Sequence, residues 1–151
     1  MENDLEVTIK FFLYNYYDID KMIREREKDI IDSMNTSVAN WYRGLKSDTN
    51  TSEETAILLS EDEQIKRYKE WKELLKEVLF FISQKSRLQY KYLISKYISK
   101  KNKNQIEVSL KINSKQQEML NRRIIDVIKE KAYIRNLKWN KGGEILCFGL
   151  V

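Results

Sequence analysis

The chain has 151 residues, the size of one domain or of one domain with an extension, and carries 28 Lys and Arg against 23 Asp and Glu, a formal net charge of +5. It has no His, no Pro, one Cys and four Gly, which excludes a Ser-His-Asp triad, a Cys-His dyad, a His-ligated zinc, an internal disulfide framework and a CxxC metal site. Hydrophobic residues make up 42%, enough for a core, yet no apolar run approaches the roughly 20 residues that a membrane-spanning helix needs.

The lack of Pro, and of any Gly between Leu45 and Lys141, predicts an all-α protein. Leu5, Ile9, Phe12, Leu13 and Tyr16 recur at helical spacing and form a first amphipathic helix. Asp18 is placed to cap a second, striped by Ile19, Met22, Ile23, Ile30 and Met34, which Trp41 and Tyr42 either extend or end. These two helices make an N-terminal helical hairpin. The segment LKSDTNTS, residues 45–52, reads as a loop, because Ser, Asp, Asn and Thr side chains compete for backbone hydrogen bonds. Thr51 with Glu54 then fits a capping box for a long connecting helix of about 30 residues, or roughly 45 Å. Ile57, Leu58, Ile65, Tyr68, Trp71, Leu75, Val78, Leu79 and Ile82 are its stripe.

Ser86 with Gln89 repeats the capping-box spacing and opens a fourth helix faced by Leu88, Tyr92, Leu93 and Tyr97. The run KKNKN, residues 100–104, is a basic turn. Ile106 and Leu110 mark a short fifth helix, interrupted at Asn113 and Ser114. Ser114 with Gln117 is a third capping box, opening a sixth helix striped by Leu120, Ile124, Val127, Ile128 and Ala132. The tail NKGGEILCFGLV carries three of the four glycines. A small β-hairpin turning at Asn140 to Gly143 fits its composition, and Cys147 reads as a small buried apolar side chain.

Charge divides along the chain. Residues 1–80 hold 12 basic and 18 acidic side chains, whereas residues 81–151 hold 16 basic and 5 acidic. Codon bias toward Lys would load both halves alike, so the asymmetry points to a polyanion partner for the C-terminal half. The same span holds a helix-turn-helix pattern in QIEVSLKINSKQQEMLNRRIIDVI, residues 105–128. Ile106, Leu110 and Ile112 supply the apolar positions of the first helix and turn, and Leu120, Ile124 and Ile128 the buried stripe of the second. The exposed face then carries Asn113, Ser114, Lys115, Glu118, Met119 and Arg122, side chains suited to base edges and phosphates. Two positions depart from the ideal: Glu107 stands where a small residue is usual, and Gln117 where an apolar one packs between the helices.

With these elements in order, the chain resembles the RinA/ArpU-like family of phage and prophage transcriptional regulators of Gram-positive bacteria. The resemblance rests on FFLYNYYDIDKMIREREKDII, on TSEETAILL, on SRLQYKYLISKYI and on the helix-turn-helix, over roughly residues 5–135. It implies a late-gene activator whose C-terminal part is similar to the promoter-reading last domain of sigma factors. It also implies that Asn113, Ser114, Lys115, Glu118 and Arg122 face DNA, with phosphate contacts from Lys100, Lys101, Lys103 and Arg123. Where the family often has Arg or Lys after the cap, this chain has Lys115 followed by two Gln.

The expected organisation is an acidic dimerisation or polymerase-contact region over 1–82, a helix-turn-helix DNA-binding domain over 83–135 and a tail of unassigned role over 136–151. The expected partners are double-stranded DNA, RNA polymerase and a second copy of the chain, with no membrane, no cofactor and no metal. The acidic start MENDLEV is neither a signal nor a transit peptide, which predicts a cytoplasmic protein. Two alternatives remain: a helical module that inhibits a host factor, and a small DNA-packaging subunit. Enzymatic activity is not expected, since pairs such as Asp18/Asp20 and Glu53/Glu54 read as solvated surface or first-turn partners of the helix dipole. The tyrosines Tyr14, Tyr16, Tyr17, Tyr90, Tyr92 and Tyr97 read as packing, not as a base-stacking platform.

Overall fold

A computed structural model describes residues 4–33 and 48–137, and every regular element in them is helical. The helices are α1 (Asp4–Tyr14), α2 (Ile19–Ser33), α3 (Asp48–Glu61), α4 (Glu63–Lys85), α5 (Arg87–Leu93), α6 (Lys103–Leu110) and α7 (Ser114–Ile134). A 3-10 turn, Tyr16–Asp18, precedes α2, and α5 continues as a π-helical turn, Ile94–Ile98. Met34, Trp41, Tyr42, residues 45–47, the expected hairpin at Asn140 to Gly143 and Cys147 lie outside the described residues. Among the described residues no helix is long and apolar enough to cross a membrane.

The chain forms two compact units. One comprises residues 18–70. The other comprises residues 1–17 together with 71–151. The expected hairpin of the first two helices therefore divides between units, and residues 83–135 share theirs with α1 and the later part of α4.

In the unit of residues 18–70, α2 packs on α3. Ile19, Ile23, Ile65 and Tyr68 are buried among its described residues. The long connecting helix of the sequence pattern is two helices, and Asp62 is the reason. Its carboxylate accepts from the Ile65 amide at 3.0 Å, the position of an N-cap, and its carbonyl takes the Lys66 amide at 3.1 Å. Arg26 adds two hydrogen bonds to the same carboxylate, at 2.9 and 3.2 Å. Burial alone would raise the Asp62 carboxyl, but the guanidinium and the amide together hold it below its ordinary value. The loop expected over 45–52 is helical from Asp48, so Thr51 is inside α3 and cannot open a capping box with Glu54. Ile57 and Leu58, expected in the stripe, are exposed. Asp62→Ala is expected to cost about 1–2 kcal/mol, summing a cap and a partly exposed ion pair. Urea unfolding of the full chain measures it, and an unchanged midpoint would show that the break needs no cap.

In the second unit, α1 carries Leu5, Ile9, Phe12 and Leu13 into the core, whereas Tyr16, the fifth residue of the predicted stripe, is half-buried in the 3-10 turn after it. Phe12 stacks on Trp71 with ring centroids 5.3 Å apart and planes 13° from parallel. Leu74, Leu75, Val78 and Ile82 of α4 and Tyr92, Leu93 and Tyr97 of the fourth predicted helix are also buried, whereas Leu88 is exposed. Ser86 caps α5 by accepting the Gln89 amide at 3.3 Å. From α7 come Leu120, Ile124, Ile125, Ile128 and Ala132, and α1 lies against α7 and the π-helical turn.

Candidate nucleic-acid interface

Both helices of the motif start with the same device. Asn102 accepts the Gln105 amide at 2.8 Å while the Gln105 side chain accepts the Asn102 amide at 2.9 Å. Asn113 and Gln116 repeat this box at 2.8 Å in both directions. The third capping box is therefore Asn113 with Gln116, one residue earlier than the Ser114 and Gln117 pairing predicted from the sequence. The turn between the helices is closed by Lys111 at φ 57°, ψ 44°, the left-handed region that glycine favours in such turns. A lysine there costs on the order of 1 kcal/mol.

The register released Gln117 for another role. Its side chain is buried and its Nε2 donates to the Lys103 carbonyl at 3.0 Å, joining the first turns of α7 and α6. It fills the apolar slot of the pattern with a polar group that carries its own bond. Ile106 and Ile112 are buried beside it, Leu110 is half-buried, and Glu107 points to solvent.

All nine predicted site residues are exposed. Asn113, Ser114, Lys115, Glu118, Arg122 and Arg123 lie on the N-terminal half of α7, with Met119 exposed among them. Lys103 opens α6, and Lys100 and Lys101 lie in the turn that precedes it. Lys100 has φ 54°, and the Lys101 amide donates to the Ser95 carbonyl at 2.9 Å, which turns the chain out of the π-helix. Lys103 Nζ is 3.8 Å from Glu118, tying the basic turn to the α7 face.

Arg122 also serves the fold. Its Nη1 donates to Glu6 Oε1 of α1 at 2.7 Å, and Lys129 donates to the same oxygen. The bonds from Lys129 and then Arg122 outweigh burial and lower the Glu6 carboxyl to about 2. Neither partner is legible beside Glu6, which is separated from them by more than a hundred residues. Behind the face, Tyr97 donates to Asn121, and Tyr14 packs edge-on to Tyr97 at 4.8 Å. Of the tyrosines, Tyr92 and Tyr97 are core residues, while Tyr17 is 75% exposed.

Among the described residues no group of three or more His, Cys, Asp or Glu side chains is placed to hold a metal ion. Compared with protein-family models, curated proteins and solved structures, the chain matches none.

Proposed function

We propose that the chain is a sequence-specific double-stranded DNA-binding transcriptional regulator, an activator of phage late genes that acts as a sigma-factor promoter-reading domain does. The observation that carries this reading is the pair of box-capped helices joined by a left-handed residue, with the polar face of α7 open and the lysines of the basic turn in the same unit. A helix fits the major groove, about 12 Å wide, and the first turns of α7 then meet base edges. Lys115 and the Asn113 and Ser114 side chains are the base readers, and Lys100, Lys101, Lys103 and Arg123 hold phosphates. The 18–70 unit has nine basic against thirteen acidic side chains, which disfavours DNA and suits dimerisation or a polymerase contact.

Selection of bound sites from random duplexes, followed by fluorescence anisotropy across salt, tests the proposal. Four cations on phosphates would give a logarithmic salt slope of about −3.6. Lys101→Ala is expected to weaken binding to all sequences alike and to reduce that slope by about 1. An unchanged slope means the basic turn is only solvated, and no duplex binding at low salt sinks the whole reading.

A further inference from the structure

A pocket of about 300 Å³ opens where the π-helical turn, the basic corner and the first turns of α6 and α7 meet, beside the proposed reading face and sharing Lys101, Lys103 and Glu118 with the proposed DNA site. Lys96, Lys101 and Lys103 line it, against Glu118 as the one carboxylate among its lining residues. The Lys103 and Glu118 charges are 3.8 Å apart and offset each other, which leaves an excess of positive charge on the walls.

Two buried polar side chains in that lining leave hydrogen-bonding groups unmet among the described residues. Tyr92 is 1% exposed, and its hydroxyl has no partner among the described residues. Gln117 is 3% exposed and spends one amide hydrogen on the Lys103 carbonyl, leaving its other amide hydrogen and its carbonyl oxygen without partners among the described residues. Buried polar groups are nearly always hydrogen-bonded, so a floor with unmet donors under a cationic rim calls for an acceptor. Burial, with smaller contributions from Tyr14 and Glu118, pushes the Tyr92 phenol up to about 12. It therefore keeps its proton at neutral pH and donates.

We propose that this pocket binds a phosphate group, with Tyr92 and Gln117 donating from the floor and Lys96 and Lys101 supplying charge at the rim. A carboxylate could meet the two floor donors, but its two coplanar oxygens offer less to the lysines at the rim. A phosphate has more acceptors, and a volume at the lower end of ligand sites fits it better than a large cofactor. The phosphate comes either from a DNA backbone or from a free phosphomonoester, and the proposal stands on the pocket alone, without the DNA-reading role of α7.

The test follows amide resonances of the full chain during titration with inorganic phosphate, against sodium chloride at equal ionic strength. The Lys101 to Lys103 and Gln117 amides are expected to shift saturably with phosphate alone. Tyr92→Phe and Lys101→Ala are each expected to weaken that binding roughly fivefold or more. Tyr92→Phe removes an unmet hydroxyl, so its melting temperature without phosphate should equal or exceed that of the parent. Phosphate shifts no larger than those from chloride, or parental binding by both variants, would overturn the proposal. Should Tyr92→Phe also weaken duplex binding, the DNA backbone is the source; unaltered duplex binding assigns the site to a phosphomonoester. A chain that takes inorganic phosphate and no duplex keeps the pocket and loses the reading of α7.

Discussion

At neutral pH, Glu6→Ala is expected to lower unfolding free energy by on the order of 2–4 kcal/mol, because it strands cations that the fold has drawn inward. The Glu6 side chain is 10% exposed and Lys129 is 20% exposed, so this pair is poorly screened. Arg122, at 57%, adds less, since water screens it. The pH dependence has a definite sign. The carboxyl stands at about 2 in the fold against an ordinary 4.5, so its stabilisation is complete above about 4.5 and is lost as pH falls through about 2. Urea unfolding across that window should show a steep acid limb in the parent and a flatter one in Glu6→Gln. Parallel limbs would mean that the cluster contributes nothing to stability.

Lys115→Glu combined with Arg123→Glu is expected to reduce duplex affinity by on the order of 100-fold or more, two contacts at about 1–3 kcal/mol each with like-charge repulsion added. Both residues are exposed on α7, and neither has a salt-bridge partner among the described residues. The double variant should therefore unfold within about 0.5 kcal/mol of the parent. That separates it from Arg122→Glu, which would also break the Glu6 cluster and confound folding with binding. Anisotropy on a selected duplex reads the difference. Parental affinity in the double variant would remove α7 as the reading face.

What the sequence made legible was periodicity. The apolar residues of α1, α6 and α7 repeat at helical spacing, and the core takes most of them where that spacing puts them. Helix ends were less legible, because adjacent candidates overlap. Asn113-x-x-Gln116 and Ser114-x-x-Gln117 are equally good boxes on paper, and only the burial of Gln117 against Lys103 decides between them. Asp62 was hidden inside a continuous stripe, since a cap costs no residue of the pattern. Lys100, Lys111 and Asn136 take positive φ without a glycine to announce it. The Glu6 cluster and the phosphate pocket depend on tertiary approach, which no local spacing encodes.

The discontinuous unit has a consequence for synthesis. A ribosome releases the N-terminus first, so α1 emerges well ahead of α7 and the π-helical turn against which it lies. At about 5–20 residues per second, the roughly 120 residues that follow take on the order of 6–24 s to appear. Throughout that delay Leu5, Ile9, Phe12 and Leu13 have at most part of their core to enter, and a nascent-chain chaperone has an apolar helix to hold.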